Sequence, residues 1–483
     1  MKHWAEGLPA GERRLVIILP ANSPGVNLCK VVASAVALGY PAPVIVNWKD
    51  ESIAQAGDGT RSHLTKITGV LEYLQWATNS NATKEAKLEE DDLVLMLDAY
   101  DIWMQLPPSV LIKRYFAANA QADQRLAAEY GSAFDTSFPR QTILASSQKR
   151  CYAPRNSLSD LHCHDLPTSP LPEKIFGIFT DSMFAKYQYA RPAYLNSGSF
   201  MGPAGDMRKY FQRVSDRMNE HLAKNPSPDD FSGDQGIFAE VFGEQEVARR
   251  EALINRSTDV LNPRQDAVDY EFHLGLDYTQ ELFYATCYSE HGGSFVQMSN
   301  SESTARDSAK AGVAPPRLLS LPGDIALASS PLEMLKTNPA QHQNWASVPL
   351  YADFWTTSIP VGIHHNAWRD GLKDRQQTWW DRTWYFPFLR EMLDQRMSAN
   401  NVSSIEPVAR IGAVETNHTL TVWPYQTEDD APKAALLFGA SEDGSFRLKS
   451  ADWSSICQSR DTTEEEQQPW YEEVFRDGKG SFQ

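Results

Sequence analysis

Asp98 and Asp101 stand three residues apart, directly after the apolar run Leu93-Val94-Leu95-Met96-Leu97. Five consecutive apolar residues read as a strand of a parallel sheet, buried on both faces. Carboxylates at the carboxyl end of such a strand lie where open α/β sheets bind ligands. Two Asp so placed can converge on one hard divalent cation through oxygen, and that cation can neutralise a diphosphate. A capping Asp followed by a turn Asp has the same spacing, so further residues must supply the discrimination.

Three later segments carry such residues. Ile359-Pro360-Val361-Gly362-Ile363 runs into His364-His365-Asn366. Neighbouring strand residues face opposite sides, so only one of His364 and His365 can join the carboxylates. Tyr194-Leu195-Asn196-Ser197-Gly198 reads as a segment that turns sharply, where a ligand can approach the backbone and the Asn196 amide can bond a hydroxyl. Ser232 and Gln235 fit a capping box. Asp234 then opens a helix, where the macrodipole favours its charge.

The elements that must position these residues follow from periodicity. Leu15–Leu19 is a strand ended by Pro20, 24–38 a helix, and Pro43–Val46 a second strand. Leu64, Ile67, Leu71 and Leu74 share one face of a helix over 61–76. Pro108 suits the first turn of a helix running to Phe116, and Thr142–Ala145 is another strand. Further helices carry Met207, Tyr210, Phe211 and Val214, then Ile237, Phe238, Val241 and Phe242. Strand and helix in alternation predict right-handed crossovers and an α/β, mostly parallel sheet flanked by helices. The expected organisation is a nucleotide- and acceptor-binding unit over 12–300 and an insertion or long loop over 301–345. The C-terminal part of the same domain, bearing the late His, follows over 346–424, then a polar, partly mobile extension over 425–483.

Composition narrows the function classes. The 483 residues carry a formal net charge of -17, which argues against a nucleic-acid partner. No apolar run is long enough to span a bilayer, and the opening MKHWAEGLPAGERR lacks a signal-peptide core. Five cysteines contain no Cys-x-x-Cys; Cys151 and Cys163 bracket a loop that a disulfide could close. With sequons at Asn81, Asn255, Asn401 and Asn417, the expectation is a secretory-pathway lumen (Golgi or ER), any signal or anchor lying outside this chain, with a cytoplasmic location the alternative.

In order along roughly 40–370, these motifs resemble the glycosyltransferase domain of the procollagen lysyl hydroxylase and collagen glucosyltransferase family. LMLDAYDIWM looks like its strand with Asp-x-x-Asp, YLNSGSFMG like its Leu-Asn-Ser-Gly-Gly-Phe-Ile-Gly segment, SGDQGIF like the end of its acidic run, and IPVGIHHNAW like its Val-His-x-Asn strand end. Two departures stand out: Ser199 replaces a Gly, and Phe231-Ser232-Gly233 interrupts the acidic run. A His-x-Asp iron site is not found, so the oxygenase half of those enzymes looks absent.

The resemblance implies a GT-A fold and a bound Mn2+, or Mg2+, held by Asp98, Asp101 and, by the His-x-Asn spacing, His364, with His365 competing. It places Asn366 near the diphosphate or sugar and Lys66 within reach of phosphate. Tyr100 is then placed to stack on uracil, Trp48 to line the nucleobase pocket, and Lys373 to meet the diphosphate as a point charge. Asn196 and Asp234 become the residues nearest the chemistry, Asp234 as base or as a stabiliser of positive charge at the anomeric carbon. The implied activity is transfer of a hexose, glucose or galactose, from a UDP-sugar to a glycan, glycoprotein or other hydroxyl acceptor. A sugar- or nucleotide-binding protein on an inactive transferase fold and a metal-dependent phosphohydrolase are the alternatives. Acceptor, donor sugar, stereochemistry and oligomeric state are left open.

Overall fold

A computed structural model describes residues 11–49, 59–80, 82–131, 140–154, 159–182, 187–224, 233–257, 270–335, 338–399, 406–413, 418–426, 433–441, 443–458 and 469–482. Its core is a mixed ten-stranded sheet. Strand β1 (Gly11–Pro20) lies parallel to β2 (Val44–Val46) and to β3 (Leu93–Leu97). Strand β4 (Ile102–Met104) follows β3 closely in sequence but joins another sheet. Beyond β3 the main sheet continues through β6 (Tyr194–Pro203), β5 (Ile143–Gln148) and β7 (Leu274–Asp277), with β6 antiparallel to both neighbours.

Alternation along the strands builds two cores. Leu15, Ile17, Leu93, Leu95 and Leu97 face one side, and Val16, Ile18, Val94 and Met96 the other. Helix α1 (Val26–Ala37) covers the first face. Helices α2 (Gly59–Ala77), α4 (Ala204–Lys224) and α5 (Gly233–Ser257) cover the second. The α/β architecture, mostly parallel around β1 and flanked by helices, agrees with the pattern of apolar residues.

Several boundaries differ from the sequence reading. Helix α3 (Pro108–Tyr130) runs well past Phe116, because the chain there holds no Pro or Gly to stop it. The Asn196 segment does not turn sharply. It is part of the ten-residue strand β6, and the irregularity is a register shift opposite Ala145 and Ser146. The 301–345 stretch, read as an insertion or long loop, carries a helix at Ser301–Lys310, and its Leu318, Ile325, Leu332, Leu335 and Trp345 are buried in the first core.

The C-terminal extension also differs. Strands β14 (Ala435–Ala440) and β15 (Phe446–Ala451) add to the main sheet through a parallel pairing of β14 with β2. Cys457 forms a disulfide with Cys29 of α1, Cα atoms 4.8 Å apart, a pairing that spacing along the chain gave no means to find. Cys151 is bonded to Cys163, and Cys287 is a buried free thiol. Ser232 and the sequons at Asn81, Asn401 and Asn417 lie outside the described residues, while Asn255 falls within α5. No described helix is long and apolar enough to cross a membrane.

Candidate metal centre

Strand pairing assembles the centre. Strand β11 (Gly362–His364) runs parallel to β8 (Phe283–Ala285) and antiparallel to β4, with His364 opposite Ile102. Since β4 begins right after Asp101, this register sets His364 beside the two Asp. The His365 N–H donates to the Asp101 carbonyl at 2.8 Å and locks the register. On the other flank Leu97 pairs with Ser199, and the Asp98 N–H donates to the Gly198 carbonyl at 2.8 Å. The candidate ligand atoms of Asp98, Asp101 and His364 lie within 4.8 Å of one another. His364 Nε2 is 3.2 Å from Asp101 Oδ1 and 3.5 Å from Asp98 Oδ2.

Alternation decides between the two imidazoles. His365 points away from the cleft and packs between Trp103 and Trp379, with ring centroids 4.1 and 5.9 Å away. Neither of its ring nitrogens has a hydrogen-bond partner among the described residues. Burial pushes its pKa down to about 3.

Asn196 sits behind His364 rather than offering a free amide to a ligand. Its Oδ1 lies 3.1 Å from His364 Nδ1 and accepts from Ser146 Oγ at 3.0 Å. Its Nδ2 donates to Gln148 and Gln235, each at 3.2 Å. An Nδ1–H donated to this amide oxygen would leave Nε2 free to ligate a cation between the carboxylates, the arrangement typical of metal-bound imidazole. Gly198 leaves the room: a Cβ there would run into the His364 ring.

Two lysines complete the electrostatics. Lys66 Nζ lies 2.6 Å from Asp98 Oδ1 and 2.6 Å from Asp234 Oδ2, and donates to the Ser197 carbonyl at 3.2 Å. Lys66 is buried and joins Asp98 to Asp234. Burial opposes its charge, but Asp234 and Asp98 outweigh it and raise its pKa. Lys373 Nζ is 2.6 Å from Asp101 Oδ2 and 3.0 Å from the His365 carbonyl. Burial would raise the Asp101 carboxyl, yet His364 and Lys373 hold it well below the usual carboxylate range. Asp234 lies in the first turn of α5, entered through Gly233 at φ 64°, a left-handed conformation that suits glycine.

Asp98, Asp101, His364, Asn196, Lys66, Lys373 and Asp234 line one cleft of about 520 Å³, in the usual range for small-molecule sites. Tyr100 lines it too, its hydroxyl 3.2 Å from Asn22 Oδ1 and 3.1 Å from the Ser23 carbonyl. Asn366 accepts from the Cys287 N–H at 2.9 Å. Trp48 is not among the lining residues; it packs against the first core, and Asn47 takes its place. Gln148 and Tyr152 also line the cleft and escaped the sequence reading, since neither belongs to a recognisable spacing; Trp368, which ends the IPVGIHHNAW segment, lines it too without having been given a role.

Two carboxylates and one imidazole form a hard-to-borderline donor set that could hold a divalent metal ion. No protein-family model matches the chain, and no curated protein matches it in sequence.

Proposed function

We propose that the protein is a metal-dependent glycosyltransferase of the GT-A type. It moves a hexose, glucose or galactose, from a UDP-sugar to a hydroxyl of a glycan, glycoprotein or other acceptor. The observation that carries this is the Asp98, Asp101 and His364 cluster at the carboxyl ends of the strands, beside a cleft with two lysines. A divalent cation held there supplies charge neutralisation to the leaving diphosphate. Lys373 adds a further positive charge at the exposed side of the cluster. Tyr100, whose hydroxyl reaches Asn22 and Ser23 after β1, and Asn47, just after β2, serve the nucleobase side. Asp234 acts near the anomeric carbon or the acceptor hydroxyl. Two disulfides are consistent with work in an oxidising secretory lumen.

The test is UDP release from UDP-glucose and UDP-galactose with Mn2+, Mg2+ or EDTA, with sugar products analysed in parallel. Metal-dependent UDP release with a glycosylated product is expected. Inorganic phosphate as the product would replace this proposal with a phosphohydrolase. Mn-UDP binding without turnover on any acceptor would leave a binding protein.

A further inference from the structure

In the sheet, β2 and β1 lie on one side of β3 and β6, and β5 lies on the other. The Asp98 and Asn196 positions therefore stand mid-cleft. Asn22 and Asn47 line one half, and Tyr152, Cys287 and Trp368 belong to the loops after β5, β8 and β11. That second half is built differently from the first.

Tyr152 and Trp368 both face the cleft. Trp368 is 65% exposed, an unusual state for the largest apolar side chain. Behind Tyr152 stands an ordered aromatic group. Tyr288 lies 6.2 Å from Tyr152 and 4.9 Å from Tyr187, centroid to centroid. The Arg150 guanidinium lies 5.0 Å from the Tyr152 ring centroid and 4.8 Å from that of Tyr187, and donates to the Tyr288 hydroxyl at 2.6 Å. It has no carboxylate partner among the described residues. Arg369, next to Trp368, stacks 4.0 Å over the same Tyr288 ring and pairs with Glu290 at 2.7 Å. The Trp368 loop and the tyrosine group are thus tied to one another. Aromatic faces held in place lose little conformational entropy when a ligand stacks on them.

We infer that Trp368 and Tyr152 form a saccharide subsite at the mouth of the cleft, which stacks on the apolar face of a pyranose ring in the acceptor. An exposed indole and a tyrosine ring held by Arg150, on one cleft that polar groups also line, suit a sugar, which offers C–H groups on its ring face and hydroxyls at its edge. The inference rests on the glycosyl-transfer proposal and extends it: the acceptor is already a carbohydrate, or carries one next to the reacting hydroxyl.

The test uses the full chain with Mn2+ and UDP on an array of neutral and acidic glycans and glycopeptides, followed by calorimetric titration of the best-bound glycan. Trp368→Ala is expected to lose about tenfold or more in glycan affinity and Trp368→Phe to keep most of it, while calorimetric Mn-UDP affinity is unchanged in both. Because Trp368 is exposed, neither variant threatens the fold. A wild-type protein that binds Mn-UDP but no glycan would overturn the subsite alone, as would Trp368→Ala binding glycan like wild type. Failure of the wild type to bind Mn-UDP would instead overturn the transferase proposal.

Discussion

The Lys373 ammonium lies 2.6 Å from Asp101 Oδ2, the carboxylate oxygen opposite the one that faces His364. Asp98 is divided in the same way, with Oδ1 on Lys66 and Oδ2 toward His364. A cation can therefore take one oxygen from each Asp without evicting either lysine.

Charge balance then favours joint binding of metal and diphosphate. Among the described residues Asp98, Asp101 and Asp234 pair with the two lysines Lys66 and Lys373, so with His364 neutral as a ligand a lone dication turns a slightly negative cluster positive, and a diphosphate reverses that. Mn2+ is expected to bind UDP-loaded protein more tightly than free protein, by a factor of about 5–150. In Lys373→Met, Mn2+ alone should bind more tightly and the coupling should shrink. Calorimetry with and without UDP measures both, and equal coupling in the two proteins would refute the charge argument.

His364→Ala should weaken Mn2+ binding by about 100-fold or more, whereas His365→Phe should leave it within about twofold. His365 packs between Trp103 and Trp379 with no partner for its ring nitrogens, so a ring without nitrogen forfeits no hydrogen bond. Manganese titration monitored by electron paramagnetic resonance separates the two; a loss confined to His365→Phe would reverse the ligand assignment.

Asn196→Ala and Gly198→Ala act on the metal through His364. The first removes the acceptor 3.1 Å from Nδ1, and the second places a methyl group in the space of the ring. Each is expected to cost about 10–100-fold in Mn2+ affinity. Circular dichroism should show a folded protein, and wild-type metal affinity in both variants would remove the positioning role.

The pH dependence of stability should carry a signature of Lys149. Its ammonium donates to the Gln188 carbonyl at 2.8 Å and lies 4.2 Å from the Phe176 ring centroid. Burial lowers its pKa from 10.5 to about 8. Between these values the unfolded chain holds more protons, so this group's contribution to stability rises with pH across that window; below about 8 the cost of burying its charge is present in full. Lys149→Met should therefore compare best with wild type at pH 7 and lose ground as pH approaches 10. Melting curves across that range give the difference, and a constant offset would contradict the burial of a charged lysine.

A non-reducing peptide map of protein from an oxidising host should show Cys29 linked to Cys457, Cys151 linked to Cys163, and Cys287 free. Cys457→Ser should lower stability by about 2–4 kcal/mol, since the Cys29 link closes most of the chain. Free Cys29 in the map would exclude it.

Some of this was legible in the residues themselves. The Leu93–Leu97 run declared a strand buried on both faces because five apolar side chains can be sheltered only between two cores. The Asp pair followed at its end, and Asp234 in a first helical turn came from local chemistry. What depends on residues far apart in the chain was not legible. The choice of His364 over His365 required the register of β11 on β4, because alternation says only that the two differ. Lys66 sits on a helix face that looks polar in sequence, and only packing against β6 reveals it as buried between two carboxylates. Residues 425–483 looked like a solvated tail because the exposed positions of an edge hairpin are polar. The place of β14 and β15 in the sheet comes from pairing of β14 with β2, nearly four hundred residues earlier, which no local pattern encodes.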